Sequence, residues 1–257
     1  MTTDQEKADR ELFDAIGDDY AQKDVVESTR VARRAILLRM LKPLLSDGRG
    51  LGTVVDVGCG TGGQAVHLHG LYDRYIGIDH SATMVAAAEN FTAGLENVEF
   101  ICASFTETEL PPDIADTVLM AHVLHHMTDL GAVMAAAAHV AKPGGRLAAI
   151  EPQRGNPLIQ AVRWLRTRID PKYSPDQHFF SEPELRAVLV DAGLDDIQLE
   201  FQSFITQPFA TVVLNPQWLF APLSRFSVAA EPVVERLFPG PLGRMSWLLG
   251  AYGRFRP

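Results

Sequence analysis

The sequence predicts an α/β fold built on a mainly parallel sheet, and three observations carry that expectation. VVDV, residues 54–57, is a short apolar run closed by turn residues, the pattern of a buried strand. It runs into Gly58-Cys59-Gly60-Thr61-Gly62-Gly63, four glycines in six residues, where the backbone can turn sharply and approach a ligand closely. Similar runs recur at YIGID (75–79), VEFICAS (98–104), DTVLMA (116–121) and LAAIE (147–151), with helical patterns between several of them.

The elements follow in order. Leu12, Phe13, Ile16 and Tyr20, then Val31, Ala35, Leu38, Leu41 and Leu45, predict two helices over residues 8–45, ahead of the first strand. After the glycine loop, residues 63–70 should form a helix whose first amides suit a carboxylate, with His67 and His69 on its solvent side. YIGID ends in Asp79, a carboxylate able to accept from both hydroxyls of a ribose. HSATMVAAAE reads as a helix capped by Ser81. The fourth strand leads into a short helix, and an alanine-rich helix from Leu130 to Ala141 reaches the turn KPGGRL before the fifth strand. Residues 156–170 alternate Leu158, Val162, Leu165 and Ile169 with Arg163, Arg166 and Arg168, read either as a lid holding an anionic group or as a solvated basic face. Ser181 and Glu184 spell a capping box, Gly193 a helix stop, and IQLEF (197–201) a further strand.

Composition bounds the function classes. With 257 residues, 47% of them apolar, the chain has the size and balance of one globular domain. Its first residues, MTTDQEKADRE, are charged and lack a signal-peptide core, so a cytoplasmic location is the default. Cys59 and Cys102 read as reduced thiols outside any disulfide framework. The net charge is −9, and residues 1–150 hold 12 basic against 21 acidic side chains, a balance that repels a phosphate backbone and disfavours nucleic acid as a partner. The longest uncharged stretch, Phe201–Ser224, could span a bilayer by length but contains Pro208, Asn215, Pro216 and Pro222, so no transmembrane segment is expected.

Two ligands fit the glycine loop. Gly58, Gly60 and Gly63, with Asp79 placed 21 residues after Gly58, satisfy the dinucleotide pattern. Asp56, two residues before Gly58, and a glycine at every second position fit instead an acid-x-G-x-G-x-G motif. By those residues the chain resembles the class I S-adenosylmethionine-dependent methyltransferases. VLHHMTD after the fourth strand and the KPGG turn resemble the same family, in its small-molecule branch, and the likeness covers about residues 10–200.

The resemblance implies a Rossmann-like, seven-stranded, mainly parallel sheet in a single domain. Lid helices would occupy residues 1–50, the cofactor-binding core 51–203, an apolar insertion or cover 204–245, and a last antiparallel strand 246–257. It implies S-adenosylmethionine as cofactor, bordered by Tyr20, Asp56, Gly58, Cys59, Gly60, Gly62, Asp79, His80, Ser104, Phe105 and His122. Ser104 departs from the family, which carries there an Asp that accepts from the adenine amino group; a neutral hydroxyl holds the base less tightly.

The implied reaction is methyl transfer to an oxygen, carbon or nitrogen of a small, largely apolar metabolite such as a quinone, polyketide, terpenoid or lipid-like molecule. Met120-Ala121-His122-Val123 stands where enzymes methylating amide or exocyclic nitrogens of macromolecules carry an Asn/Asp-Pro-Pro-aromatic tetrad. The carboxylate cluster of catechol-type enzymes is missing from the pattern, so no metal is expected. Glu151, His126 and His178 are the candidates for a general base, in that order. His122 and His126 would share a face if the helix began at His122. Phe204, Phe209, Trp218, Leu219, Phe220, Leu223, Phe226 and Leu237 in the insertion fit a pocket cover, a surface for peripheral membrane contact or for a second subunit, or ordinary core. The alternatives are a nicotinamide-dependent dehydrogenase, a non-catalytic cofactor-binding scaffold, and a protein or RNA methyltransferase.

Overall fold

The computed structural model describes residues 4–46, 48–169, 178–238 and 240–256. Ten helices and seven strands follow one another among them: α1 Asp4–Val25, α2 Glu27–Met40, α3 Lys42–Leu45, β1 Thr53–Val57, α4 Gly63–His67, β2 Arg74–Asp79, α5 Ala82–Phe91, β3 Val98–Cys102, β4 Ala115–Ala121, α6 Leu130–Val140, β5 Ala141–Pro152, α7 Pro157–Ile169, α8 Glu182–Asp191, β6 Asp195–Gln202, α9 Gln207–Thr211, α10 Gln217–Leu237 and β7 Leu248–Arg254. The strands form one sheet in the order β3-β2-β1-β4-β5-β7-β6, parallel except that β7 runs against both β5 and β6. Strand order reverses between β1 and β4, the place where open α/β sheets leave a crevice at their carboxyl edge.

The period of two along each strand divides the core into two faces. Val55, Val57, Ile76, Ile78, Val118 and Met120 pack with Val133 and Ala137 of α6 and Leu185 and Leu189 of α8. Val54, Tyr75, Leu119 and Ile150 meet Ala32, Leu37 and Met40 of α2 on the other face. Each such side chain taken from water stabilises by about 1.5–3 kcal/mol.

Three local expectations are corrected. Helix α4 stops at His67 and not at residue 70, because a turn through Gly70 (φ 83°) brings the chain back toward β2. Helix α6 stops at Val140, and the β4–β5 ladder already starts at Ala141; its register breaks across the KPGG segment before resuming at Thr117 and Arg146. After β4 the short helix is a 3-10 turn over Leu124–His126, so His122 precedes it and shares no helical face with His126.

Helices α9 and α10 lie on α2. Gln217 Oε1 accepts from Ser28 N at 3.0 Å, and Ser224 Oγ donates to Ser28 O at 2.6 Å. The inward side of α10 uses small residues, Ala221, Ser224 and Ser227, whereas Trp218, Leu223, Phe226 and Leu237 face outward. Those side chains are therefore surface, not cover or core. Glu231 is the buried anchor of this region: its carboxylate accepts from the amides of Phe204, Ile205 and Thr206. Replacing Glu231 by Ala leaves three amides without acceptors and should cost on the order of 3 kcal/mol, lowering Tm by roughly 6–12 °C. Arg225→Ala, at the exposed pair with Glu27, should cost well under about 1 kcal/mol by the same melting measurement; equal losses would refute the anchor.

Candidate active site

A cavity of about 650 Å³ opens at the carboxyl ends of β1, β2 and β4 and is closed over by α1, α2, α7 and α9. Its floor is the glycine loop. Gly58, Gly60 and Gly62 all take left-handed backbone, at φ 71°, 53° and 73°, and this is why a glycine recurs at every second position. A Cβ on Gly58 would stand 2.4 Å from Val123 Cγ2. Gly60 N donates to Asp79 Oδ2 and Ser81 N to Asp79 Oδ1, both at 2.9 Å. An ionised carboxylate has about four acceptor positions, so Asp79 retains two toward the cavity it lines.

The structure sorts the residues named from sequence. Tyr20, Gly58, Cys59, Gly60, Asp79, His80, Ser104, Phe105, His122 and His126 line the cavity. Asp56 does not: within β1 it is fully buried and takes the Tyr75 hydroxyl, and burial pushes its carboxyl up to about 7. Gly62 also faces away, packing close to Ala88 and Phe100. Burial, then the nearby charges of Asp79 and Asp56, raise the Cys59 thiol well above its usual range and keep it neutral. His178 is exposed, beside Glu184 at 3.9 Å, and lies outside the cavity lining.

Glu151 is also reassigned. It is fully buried, and Oε1 accepts from Val123 N (3.0 Å) and Leu124 N (2.7 Å) while Oε2 lies 2.6 Å from His125 Nδ1. Burial pulls this carboxyl upward, but His125 and these bonds outweigh it and hold it below its ordinary value. The carboxylate is thus engaged in building the turn after β4, and it sets the orientation of His125, which does line the cavity. The His125 and His126 rings are 4.1 Å apart, and His126 meets Phe13 of α1 edge-on at 5.3 Å.

His122 has left-handed backbone (φ 59°), and its amide donates to Ile150 O at 2.8 Å. Burial drives its imidazole down to about 4, with Glu151 opposing, so it is neutral near pH 7.

A second cluster escaped the sequence reading. Asp24, at the end of α1, is buried and accepts from Arg33 Nη1 (2.6 Å) and Thr61 Oγ1 (2.8 Å), with His67 Nε2 at 3.6 Å. His67 is therefore buried, not on the solvent side. Burial raises the Asp24 carboxyl, but His67, Arg33 and Thr61 together bring it below its usual value. Arg33 also donates to the Tyr20 hydroxyl (2.9 Å), and Tyr20 Cε1 lies 4.0 Å from where a Gly60 Cβ would stand. The N-terminal helices are thereby pinned to the glycine loop through paired charges. In the sequence Asp24 and Arg33 look like any solvated charges on a helix; only the four-residue spacing of Tyr20 and Asp24 hints at a shared face.

Among the described residues, no group of three His, Cys, Asp or Glu is placed to hold a metal, and no helix is long and apolar enough to cross a membrane.

This sheet order, with a left-handed glycine loop facing an acid at the end of β2, is the fold of the class I S-adenosylmethionine-dependent methyltransferases. Residues 55–149 match the methyltransferase domain family. The ubiquinone biosynthesis O-methyltransferase of Bradyrhizobium sp. (strain ORS 278) is 34% identical over 93 residues, 36% of this chain and 36% of that protein. The ubiquinone/menaquinone biosynthesis C-methyltransferase of Syntrophotalea carbinolica is 29% identical over 157 residues, covering 60% of this chain and 65% of that one. The chain thus spans little more than a third of the first of these relatives. A Thermotoga maritima S-adenosylmethionine-dependent methyltransferase, described as a possible histamine N-methyltransferase, superposes with TM-score 0.66 at 18% identity, covering 96% of this chain and 99% of that one.

The half-buried His122 has a measurable signature. Between about pH 6.5 and 4 the unfolded chain binds a proton at His122 that the folded chain refuses, so acidification removes stability across that window. Asp56, protonated in the fold up to about 7, acts in the opposite sense, so the comparison must be made between variants. His122→Asn, which tolerates the left-handed backbone, should lose less stability than the parent on going from about pH 7 to 5 in denaturant melts. Equal losses would show that His122 is not the group responsible.

Proposed function

We propose that the protein transfers the methyl group of S-adenosylmethionine to a hydroxyl oxygen, or an activated carbon, of a small and largely apolar molecule. One observation carries this reading: the cavity has a polar end, at the glycine loop and Asp79, continuous with an apolar end bounded by Phe13, Ile159, Phe179, Ala210 and Leu248. Its volume of about 650 Å³ lies within the range of small-molecule sites. Quinone-type acceptors are the favoured class, given the relatives' names and that lining.

When bound, the cofactor supplies a sulfonium methyl group with an excellent leaving group already attached. The remaining work belongs to the chain. Asp79 accepts from the ribose hydroxyls, Ser104 and Phe105 border the adenine, and Arg33 with Tyr20 faces the methionine end. Arg33 has five N–H donors, of which its bonds to Asp24 and Tyr20 use two. The closed apolar end excludes water and holds the acceptor in line, an arrangement able to account for much of the barrier without a dedicated base. Where the acceptor is a hydroxyl, a ring nitrogen of His126 takes its proton, while Glu151 and His125 position that ring.

Asp79→Ala should weaken S-adenosylhomocysteine binding by about 10- to 150-fold with the fold intact, because a charged hydrogen-bond partner is lost. Calorimetric titration reads this directly, and an unchanged Kd would remove Asp79 from the site. For the acceptor, the protein is incubated with methyl-labelled cofactor and phenolic or quinol acceptors. Label should pass into organic solvent; label found only in precipitated macromolecule would overturn the small-molecule reading. With the acceptor in hand, His126→Ala should lower kcat by roughly 100-fold or more while leaving cofactor affinity unchanged.

A further inference from the structure

Helix α7 is built inside out. It gives the protein body Ile159, only 5% exposed and part of the cavity wall. Leu158, Ala161 and Leu165 fall on one helical face by their spacing of three and four, yet Leu158 and Leu165 are 56% and 51% exposed. Trp164 is 60% exposed, with the Arg168 guanidinium 3.5 Å from its ring centroid. An amphipathic helix ordinarily turns its apolar stripe to the core. Along α7 the sequence charge is one-sided: residues 157–169 contain Arg163, Arg166 and Arg168 and no Asp or Glu, in a chain of net charge −9, while Arg154 just before it pairs with Glu184 at 2.7 Å. The side chains of Arg163 and Arg166 lie outside the described set, so the sharper expectation that they hold an anionic substrate group has no geometry behind it.

We propose that α7 docks on an anionic lipid surface, with Leu158, Trp164 and Leu165 in the acyl boundary and Arg168 among the headgroups, so that the apolar acceptor enters the cavity past Ile159. An apolar face carrying Trp and Leu, flanked by arginines, is the composition of helices that lie in a bilayer interface, and clustered arginines near that surface attract anionic headgroups. A second copy of the chain fits worse. A two-fold interface would bring Arg168 and the neighbouring arginines of α7 against their own copies, and α7 itself carries no acid to pair with them. Helix α10 also exposes apolar side chains, but its Arg225 is paired with Glu27 and its Glu235 with Arg39, so it lacks the cationic bias. The proposal deepens the reading above and rests on it for the nature of the cargo; binding to lipid is measured without any acceptor.

The test is co-sedimentation of the full chain with vesicles of phosphatidylcholine alone and of phosphatidylcholine mixed with phosphatidylglycerol. Partition to the mixed vesicles, weakened by salt, is the expected result. Arg168→Gln should reduce it roughly fivefold, and Trp164→Ala with Leu165→Ser should reduce it further. Phe226→Ser on α10 should leave it unchanged. Stabilisation of every variant by S-adenosylhomocysteine checks that the fold and cofactor end are intact. No partition to either vesicle, partition indifferent to the α7 changes, or partition lost in Phe226→Ser overturns the proposal. A change of sedimenting mass in the α7 variants would assign the face to a second copy instead. Loss of lipid binding with methylation of detergent-dispersed acceptor retained would leave the proposed function standing; the reverse outcome would strike that function alone.

Discussion

The rest of the structure depends on the left-handed turn after β1. Three alternate residues there adopt backbone that a side chain would strain, and Gly58 has no room for a Cβ beneath Val123. Asp79 takes the Gly60 amide, tying the loop to the end of β2, and Thr61 reaches back to Asp24, tying it to α1. The carboxyl ends of β1, β2 and β4 and the overlying helices thus meet at one rigid turn. A cavity at the strand-order reversal follows from topology, but its shape follows from this loop.

Around that turn, buried ionisable groups are paired or neutral. Asp24 is matched by Arg33, Glu151 by His125 and two amides, and Asp56 by the Tyr75 hydroxyl. Cys59 and His122 are kept neutral by burial. Breaking one member of such a pair leaves a buried charge uncompensated, which costs far more than an exposed ion pair contributes. The arrangement suits the proposed methyl transfer, whose leaving group is already activated. It needs a dry, fixed enclosure more than a strong acid or base.

What was legible in the sequence was what local rules decide. The parallel strands, the place of Asp79 at the end of β2, the Ser81 cap and the Ser181–Glu184 capping box each depend on spacing within a few residues, and all stand where the pattern puts them. Glu151, Asp56 and His178 were misplaced for a common reason. Residue type says that a carboxylate or imidazole can do chemistry, while burial and donors from distant segments decide whether it is available. Glu151 is consumed by amides 27 and 28 residues away. The cluster of Asp24, Arg33, Thr61 and His67 was illegible because its members come from four elements and look solvated singly.

The two ends of the cavity come from different parts of the chain. The family match spans residues 55–149, and within it lie the glycine loop, Asp79, Ser104, His122 and both later histidines, the whole polar end of the cavity apart from the α1–α2 cluster. Phe13, Ile159, Phe179, Ala210 and Leu248, which bound the apolar end, all lie outside it. Helix α2 joins the two parts: Ile36 and Leu37 line the cavity, Ala32 and Met40 pack on the sheet, and Ser28 receives α10. Because α9 and α10 rest on α2 and not on the glycine loop, substitutions there can reshape the apolar end of the cavity without disturbing its polar end.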